Sequence, residues 1–424
     1  MTNKNENLET GPKTTSVEHI EDGREDEKRG FILIDKTETK KTNAIPEKTD
    51  GNKTDHSIDQ TERYKFYTDK KTTKKHPLLI DEAGMLFSKY CVLDTKYPDI
   101  TPEQRRKDLK DEKFIKEMDK RKELIANFGE KIGIPNLKER FINNDNIYLL
   151  PQKTFEEIHP DKYSDGFSAS NEIFIKNTND SKKEYFAAQH EMLHNACIEK
   201  FYLQEEAENY NIDRISSGYI GCKEGGARFL NKFGEGLVEV ANLQICSEND
   251  IAVPEIGYFG CVVFITELVK DITQKIKEKA KEIEKENFEE KTREFIESIP
   301  QKLNGQKRET NEKGLKTVAK ELTEEEILAH LHRGMFKGDR RYLRIIKNYY
   351  GTEAINSLTT MQKDKEDIIR VAKIFGLQTV IDKLNEFFDQ SDKKSSTQID
   401  IGKNSYRIEI VWSLEKFFIT KIKK

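Results

Sequence analysis

Cysteine, tryptophan and long apolar runs are all scarce in this sequence. Its five cysteines (Cys91, Cys197, Cys222, Cys246, Cys261) are scattered over 424 residues without a C-x-x-C pair. Such a set builds neither a disulfide scaffold nor a zinc knuckle, and it fits a reducing compartment. The longest apolar stretch, Ile256 to Val269, is interrupted by Glu267 and falls short of the ~18 residues that a membrane helix needs. The opening MTNKNENLETGPKTTSVEH has no apolar segment after its lysines, so it does not read as a secretory signal. An excess of one charge is also lacking. Lys+Arg 73 against Asp+Glu 77 leaves a net charge of -4, and no global basic field points to nucleic acid. These absences together predict a soluble, cytoplasmic protein with no nucleic-acid partner and no membrane insertion.

Apolar residues make up 35% of the chain and charged residues 35%, against ~45–50% and ~25% in ordinary globular domains. A chain this polar cannot bury its whole length in one core, so tail, linker and solvated helix are expected beside two or three domains. Residues 1–75 are rich in Lys, Thr, Asn, Asp and Glu, a composition that cannot offset its ordering entropy and predicts a disordered polar tail. One apolar island, Phe31-Ile32-Leu33-Ile34, interrupts it; it reads as a chance cluster, a short strand or a docking peptide.

From His76-Pro77 onward the apolar content rises. Thr101-Pro102-Glu103 is a helix start, and a charged helical region runs from it to about Ile132. Asn146 to Leu150 and Gly166 to Lys176 read as strands, the second alternating through Phe167, Ala169, Ile173 and Ile175. Ser181-x-x-Glu184 has the form of a capping box opening a helix to about Phe201. Further helices are expected from Leu237 to Cys246 and from Tyr258. The latter continues as an apolar stripe, Ile265, Val269, Ile272, Ile276, Ala280 and Ile283. With Lys and Glu on its other faces, it predicts an amphipathic arm or short coiled coil, through which residues 265–283 could meet a partner. Residues 297–322 resemble a linker. Thr323-x-x-Glu326 begins a set of short helices with stops at Gly351 and Gly376, and Gln398 to Trp412 alternates as a β-hairpin.

The chemistry is concentrated in Gln189-His190-Glu191-Met192-Leu193-His194, an H-E-x-x-H inside the helix that opens at Ser181. Residues i and i+4 share a helix face, so two imidazoles placed there can hold one Zn²⁺. The glutamate between them stands beside the metal, where it can take a proton from water and pass it to a leaving amine. Histidine is scarce here, 8 in all, which makes a paired occurrence at this spacing informative. The extended form with a third histidine is absent, because Cys197 and Lys200 stand where its Gly and His would be. Further on, Gly234-Glu235-Gly236-Leu237-Val238-Glu239 sets two carboxylates one turn apart at a helix start. Glu235 could complete the metal site, and Glu239 could accept the free N–H of a ligand histidine.

On these residues the chain resembles the gluzincin metallopeptidases, thermolysin-like in the broad sense. The resemblance covers about residues 145–250. It implies His190, His194 and Glu235 as zinc ligands, Glu191 as general base and Glu239 as the acid that supports a ligand histidine. It also implies that the strand Glu172 to Lys176 is a substrate-binding edge. The chain departs from the thermolysin pattern in having Glu rather than Asp at 239 and a longer spacing, 41 positions from His194 to Glu235. Gln189-His190-Glu191 is similar as well to the Q-H-E-x-D-H of peptide deformylase. There, however, Leu193 replaces the Asp, and Cys91 lies in Lys89-Tyr90-Cys91-Val92 instead of the deformylase E-G-C segment.

The fold expected is therefore α+β, with a zincin-like catalytic domain over 76–260, a charged amphipathic helix and linker over 261–322, a helical part over 323–390 and a hairpin over 391–424. The function expected is zinc-dependent hydrolysis of peptide bonds in a peptide or protein substrate. The alternative is a catalytically idle zinc-containing scaffold of the same fold. An oxyanion donor would complete the enzyme; His330, His332 and Tyr342 are the candidates, with Tyr219 and Arg228 behind them.

Overall fold

Helix α1 (Glu112–Lys131) forms where Phe114, Met118, Ile125 and Phe128 recur on one face, and all four are buried. The computed structural model describes residues 31–33, 64–69, 112–159, 164–169, 172–206, 209–223, 228–283, 322–388, 394–401, 404–411 and 416–422. The helix start at Thr101-Pro102 and nearly all of the 297–322 linker lie outside them.

Strands β3 (Ile147–Pro151), β4 (Gly166–Ala169) and β5 (Glu172–Asn177) form a small sheet in the order β3-β5-β4, with β3 parallel and β4 antiparallel to β5. The single strand expected from Gly166 to Lys176 is thus two. Glu172 to Lys176 is the centre of the sheet, buried at five successive residues, and β3 and β4 are its edges. A strand covered on both faces needs no polar alternation, which is why its pattern misleads. Helix α2 (Gln152–Ile158) follows β3.

Helix α3 (Ser181–Asn195) begins one residue earlier than the S-x-x-E pattern implies. Asp180 is its N-cap, accepting from the Lys182 N–H, while Glu184 accepts from the Thr178 N–H. The helix stops at Asn195 instead of reaching Phe201, because the following residues pair as strand β6 (Glu199–Glu206) with β7 (Asn209–Ser217). This second sheet has the order β1-β2-β6-β7-β8-β9, where β8 is Ile220–Lys223 and β9 is Arg228–Phe229. Its first two strands, β1 (Phe31–Leu33) and β2 (Tyr64–Asp69), come from the segment expected to be a disordered tail. There β2 runs parallel to β6 and β1 antiparallel to β2, so the Phe31 island takes its short-strand reading and backbone pairing adds two short strands that composition does not announce. The rest of residues 1–75 lies outside the described residues.

Helix α4 (Asn231–Glu248) is buried over most of its length and lies against α5 (Phe259–Ile283). Gly236 permits the close approach, since a Cβ there would stand 2.7 Å from both Cys261 and Ile265. The apolar stripe of α5 is not left for a partner. Ile265, Val269, Ile272 and Ile276 are buried within the chain's own core, where α5 meets α4, α6 (Glu324–Lys337), α7 (Arg344–Thr359), α8 (Lys365–Phe375) and α9 (Gln378–Phe388). The expected arm is therefore a central helix through residue 276, because four later helices supply the apolar surface that the stripe needs. Ala280 and Ile283 have side chains outside the described ones.

The second capping box is present: the Thr323 hydroxyl accepts from the Glu326 N–H, and the Glu326 carboxylate accepts from the Thr323 N–H. Helix α8 ends at Gly376 in the left-handed conformation, and Gly351, with φ 81° and ψ -178°, stops the first helical segment of α7, which resumes beyond it. The C-terminal hairpin has a third strand, giving an antiparallel sheet of β10 (Lys394–Ile401), β11 (Asn404–Val411) and β12 (Lys416–Ile422). The architecture is a mixed, mostly helical α+β arrangement. Among the described residues, no helix is long and apolar enough to cross a membrane.

Candidate metal centre

Helix α3 packs between the small sheet and α4. Its H-E-x-x-H face therefore meets the Glu235–Glu239 face of α4, with His190 and Glu191 buried. The His190 Nε2 and His194 Nε2 atoms are 3.1 Å apart. Glu235 Oε2 lies 3.0 Å from the second and 3.4 Å from the first. Among the described residues, His190, His194 and Glu235 form a cluster able to hold a metal ion. A tetrahedral zinc with bonds of ~2.0–2.1 Å separates its donors by about 3.3 Å, so the three distances fit that donor set.

The electrostatics of the cluster favour a cation. Burial works against a charged His190, but the Glu235 and Glu239 carboxylates outweigh it and hold its pKa well above the usual histidine value. Burial likewise opposes ionised Glu235, and His194 and His190 overcome it, keeping that carboxyl well below its ordinary range. Glu239, 2% exposed, uses both oxygens: Oε2 accepts from His190 Nδ1 at 2.7 Å and Oε1 from the Gly257 N–H at 3.1 Å. The first bond leaves Nε2 of His190 as the atom facing Glu235 and His194.

Behind the motif, the buried Gln189 accepts from Arg121 of α1 at 2.8 Å and donates to Asn242 of α4 at 2.7 Å. These bonds tie α3 to both neighbours and fix its rotation about its axis. Glu191 points to the other side. Its carboxylate accepts from the Ser168 hydroxyl on β4, and burial raises its pKa against the opposing pull of His194 and His190. Gly166 of the same strand leaves room for it, since a Cβ there would be 3.1 Å from Glu191 Cγ.

The candidate oxyanion donors do not gather here. His330 Nε2 is bonded to the Tyr342 carbonyl at 3.2 Å, and His332 Nε2 to the Leu237 carbonyl at 3.1 Å. Burial pushes the two histidines down to about 3 and about 4, so both are neutral core residues. The Tyr342 ring lies tilted beside His330, and the Tyr219 hydroxyl donates to the Leu331 carbonyl. The side chain of Arg228 lies outside the described ones. Cys197 is buried, with its thiol against the Leu193 carbonyl. Sequence reasoning missed Ser168 and Tyr258. The Tyr258 ring lies nearly parallel to His190, with centroids 5.9 Å apart and planes 18° from parallel. Neither belongs to a motif, and only the tertiary fold brings them to the site.

A charge cluster stands beside the centre. Asp165, which leads into β4, pairs with Lys176 at 2.7 Å, and Glu255, between α4 and α5, pairs with Lys183 at 2.6 Å. The two carboxyl groups are hydrogen-bonded to each other. Burial, together with the Asp165 carboxylate, pushes Glu255 up to about 7. Asp165 is held below its usual value despite burial, by its bonds to Glu255 and Lys176. A carboxyl raised in the folded state stabilises fully below its ordinary value of 4.5, and this contribution is lost as pH rises through about 7. Glu255→Gln keeps a donor for Asp165 without the titration. The wild-type thermal midpoint should therefore fall relative to that of the variant between about pH 5 and about pH 8; parallel profiles would disprove the shared proton.

Comparison with family profiles, curated proteins and solved structures yields no match to this chain.

Proposed function

We propose that the protein is a zinc-dependent metallopeptidase with a zincin-like core over 76–260. The observation that carries this reading is the convergence of His190, His194 and Glu235 with Glu191 held beside them and outside the donor set. A purely structural metal site has no need of such a buried acid. A zinc ion held by the three donors would supply Lewis-acid activation of water and of a peptide carbonyl. Glu191 takes the proton from the attacking water and delivers it to the leaving amine. Ser168 holds the Glu191 carboxylate towards β4. That strand, an edge of the small sheet and the one against Glu191, can align an extended peptide by main-chain hydrogen bonds. The edge role implied for Glu172 to Lys176 thus passes to Gly166–Ala169.

The test pairs metal analysis by mass spectrometry, on protein purified without added zinc, with a fluorogenic peptide library. The expected result is about one zinc per chain in a tetrahedral donor set, together with hydrolysis that a chelator stops and zinc restores. Zinc without cleavage of any library member would favour the idle-scaffold alternative. A chain that takes up no metal would overturn both readings.

A further inference from the structure

Tyr258 is the last residue before helix α5. It touches two of the three candidate ligands in different ways. Its ring covers the His190 imidazole, and its hydroxyl is hydrogen-bonded to the Glu235 carboxylate. Towards a carboxylate a phenol acts as the donor. The Lys232 ammonium, from the first turn of α4, lies 5.2 Å from the centre of the same ring and holds it on the helix that carries Glu235.

The adjacent residue extends the pattern. The Gly257 N–H donates to Glu239, whose other oxygen holds His190. Two consecutive residues, 257 and 258, thus restrain Glu239 and Glu235, one through the backbone and one through a side chain. Tyr258 thus adds to Glu235 a contact beyond those of the two imidazoles, and sets a ring nearly parallel to that of His190.

We propose that Tyr258 is a positioning residue of the metal centre: it aims the Glu235 carboxylate at the point where His190 and His194 converge, and it fixes the plane of the His190 ring, so that the donor triangle exists before a metal enters it. A carboxylate that already accepts a phenolic hydrogen bond is also steered towards binding through one oxygen. That favours a small four-coordinate ion such as zinc over larger ions that take both oxygens. The proposal rests on the reading of the cluster as a metal centre.

The experiment measures zinc affinity by competition with a chelating dye for the full-length wild type, Tyr258→Phe and Tyr258→Ala. Thermal midpoints are recorded in the metal-free and zinc-loaded forms, and the visible spectrum is recorded with cobalt in place of zinc. Tyr258→Phe keeps the ring and loses only the hydroxyl. It should bind zinc ~10–100-fold more weakly, the usual effect of removing a group that orients a ligand. Its metal-free midpoint should stay unchanged and its cobalt bands should shift. Tyr258→Ala should lose more affinity; if that variant fails to fold, the Phe variant alone decides. Wild-type affinity and spectrum in Tyr258→Phe would overturn the proposal and leave the metal centre standing. A wild type that binds no zinc would overturn the metal centre, and the proposal with it.

Discussion

Glu191→Gln is expected to keep its metal and to lose peptide hydrolysis by at least ~10²-fold, the lower end for removal of a general base. The two halves of this expectation come from different observations. Metal retention follows because the donor cluster consists of His190, His194 and Glu235 without Glu191. Loss of turnover follows because an amide cannot take a proton from water near neutrality. The substitution is nearly isosteric, and the amide oxygen of Gln can still accept from Ser168, which bonds the native carboxylate, so the strand–helix contact survives. Burial raises the Glu191 pKa, which brings the group closer to neutrality and makes it a stronger base than an exposed glutamate. The check is a rate measurement on one cleaved peptide, with metal content determined on the same sample. Full activity in the variant would remove Glu191 from the mechanism; a metal-free variant would mean that it is a ligand.

The parts of this site that can be read from sequence are those set by helix geometry. His190 and His194 meet because they are one turn apart on α3, and Glu235 and Glu239 because they are one turn apart on α4. The Thr323 capping box is legible for the same reason: its partners are three residues apart. What cannot be read depends on distant pairing. Strand β2 lies beside β6, with Tyr64 paired to Glu199 some 135 residues later, and nothing local in Tyr64–Asp69 names Glu199–Glu206 as its neighbour. Burial of the α5 stripe is equally non-local. The period marks an apolar face, but a coiled-coil partner and the chain's own α6 to α9 satisfy that face alike. The same holds for β4 and β5, where the alternation is consistent with one strand and only the turn between them shows that the edge next to Glu191 is Gly166–Ala169. His330 and His332 illustrate the reverse error, since their residue type suggested chemistry while their rings are bonded to backbone carbonyls of the core.

Glu235 and Glu239 differ by one turn in sequence and should differ sharply in consequence. Glu235→Ala removes a donor atom and leaves two imidazoles, too few to hold zinc against water in a three-donor site, so metal should be absent from the purified variant. Glu239→Gln removes no donor. Its carbonyl oxygen can accept from His190 Nδ1 or from the Gly257 N–H, but it cannot serve both as the native carboxylate does. Zinc affinity should fall by ~10–100-fold, as it does when a group that orients a ligand histidine is changed. Because Glu239 is buried, the variant should also lose stability, by ~1–3 kcal/mol for the donor left without an acceptor. Glu235→Ala should also lose stability in the metal-free form, since His194 and His190 hold that carboxylate ionised despite its burial. Zinc titration therefore separates the two residues: no metal is held without Glu235, and binding is only weakened without Glu239. If the affinities came out in the opposite order, Glu239 would be the ligand and Glu235 its support. If neither substitution changed zinc binding, the third donor would lie outside α4, and the pairing of α3 with α4 would no longer explain the centre.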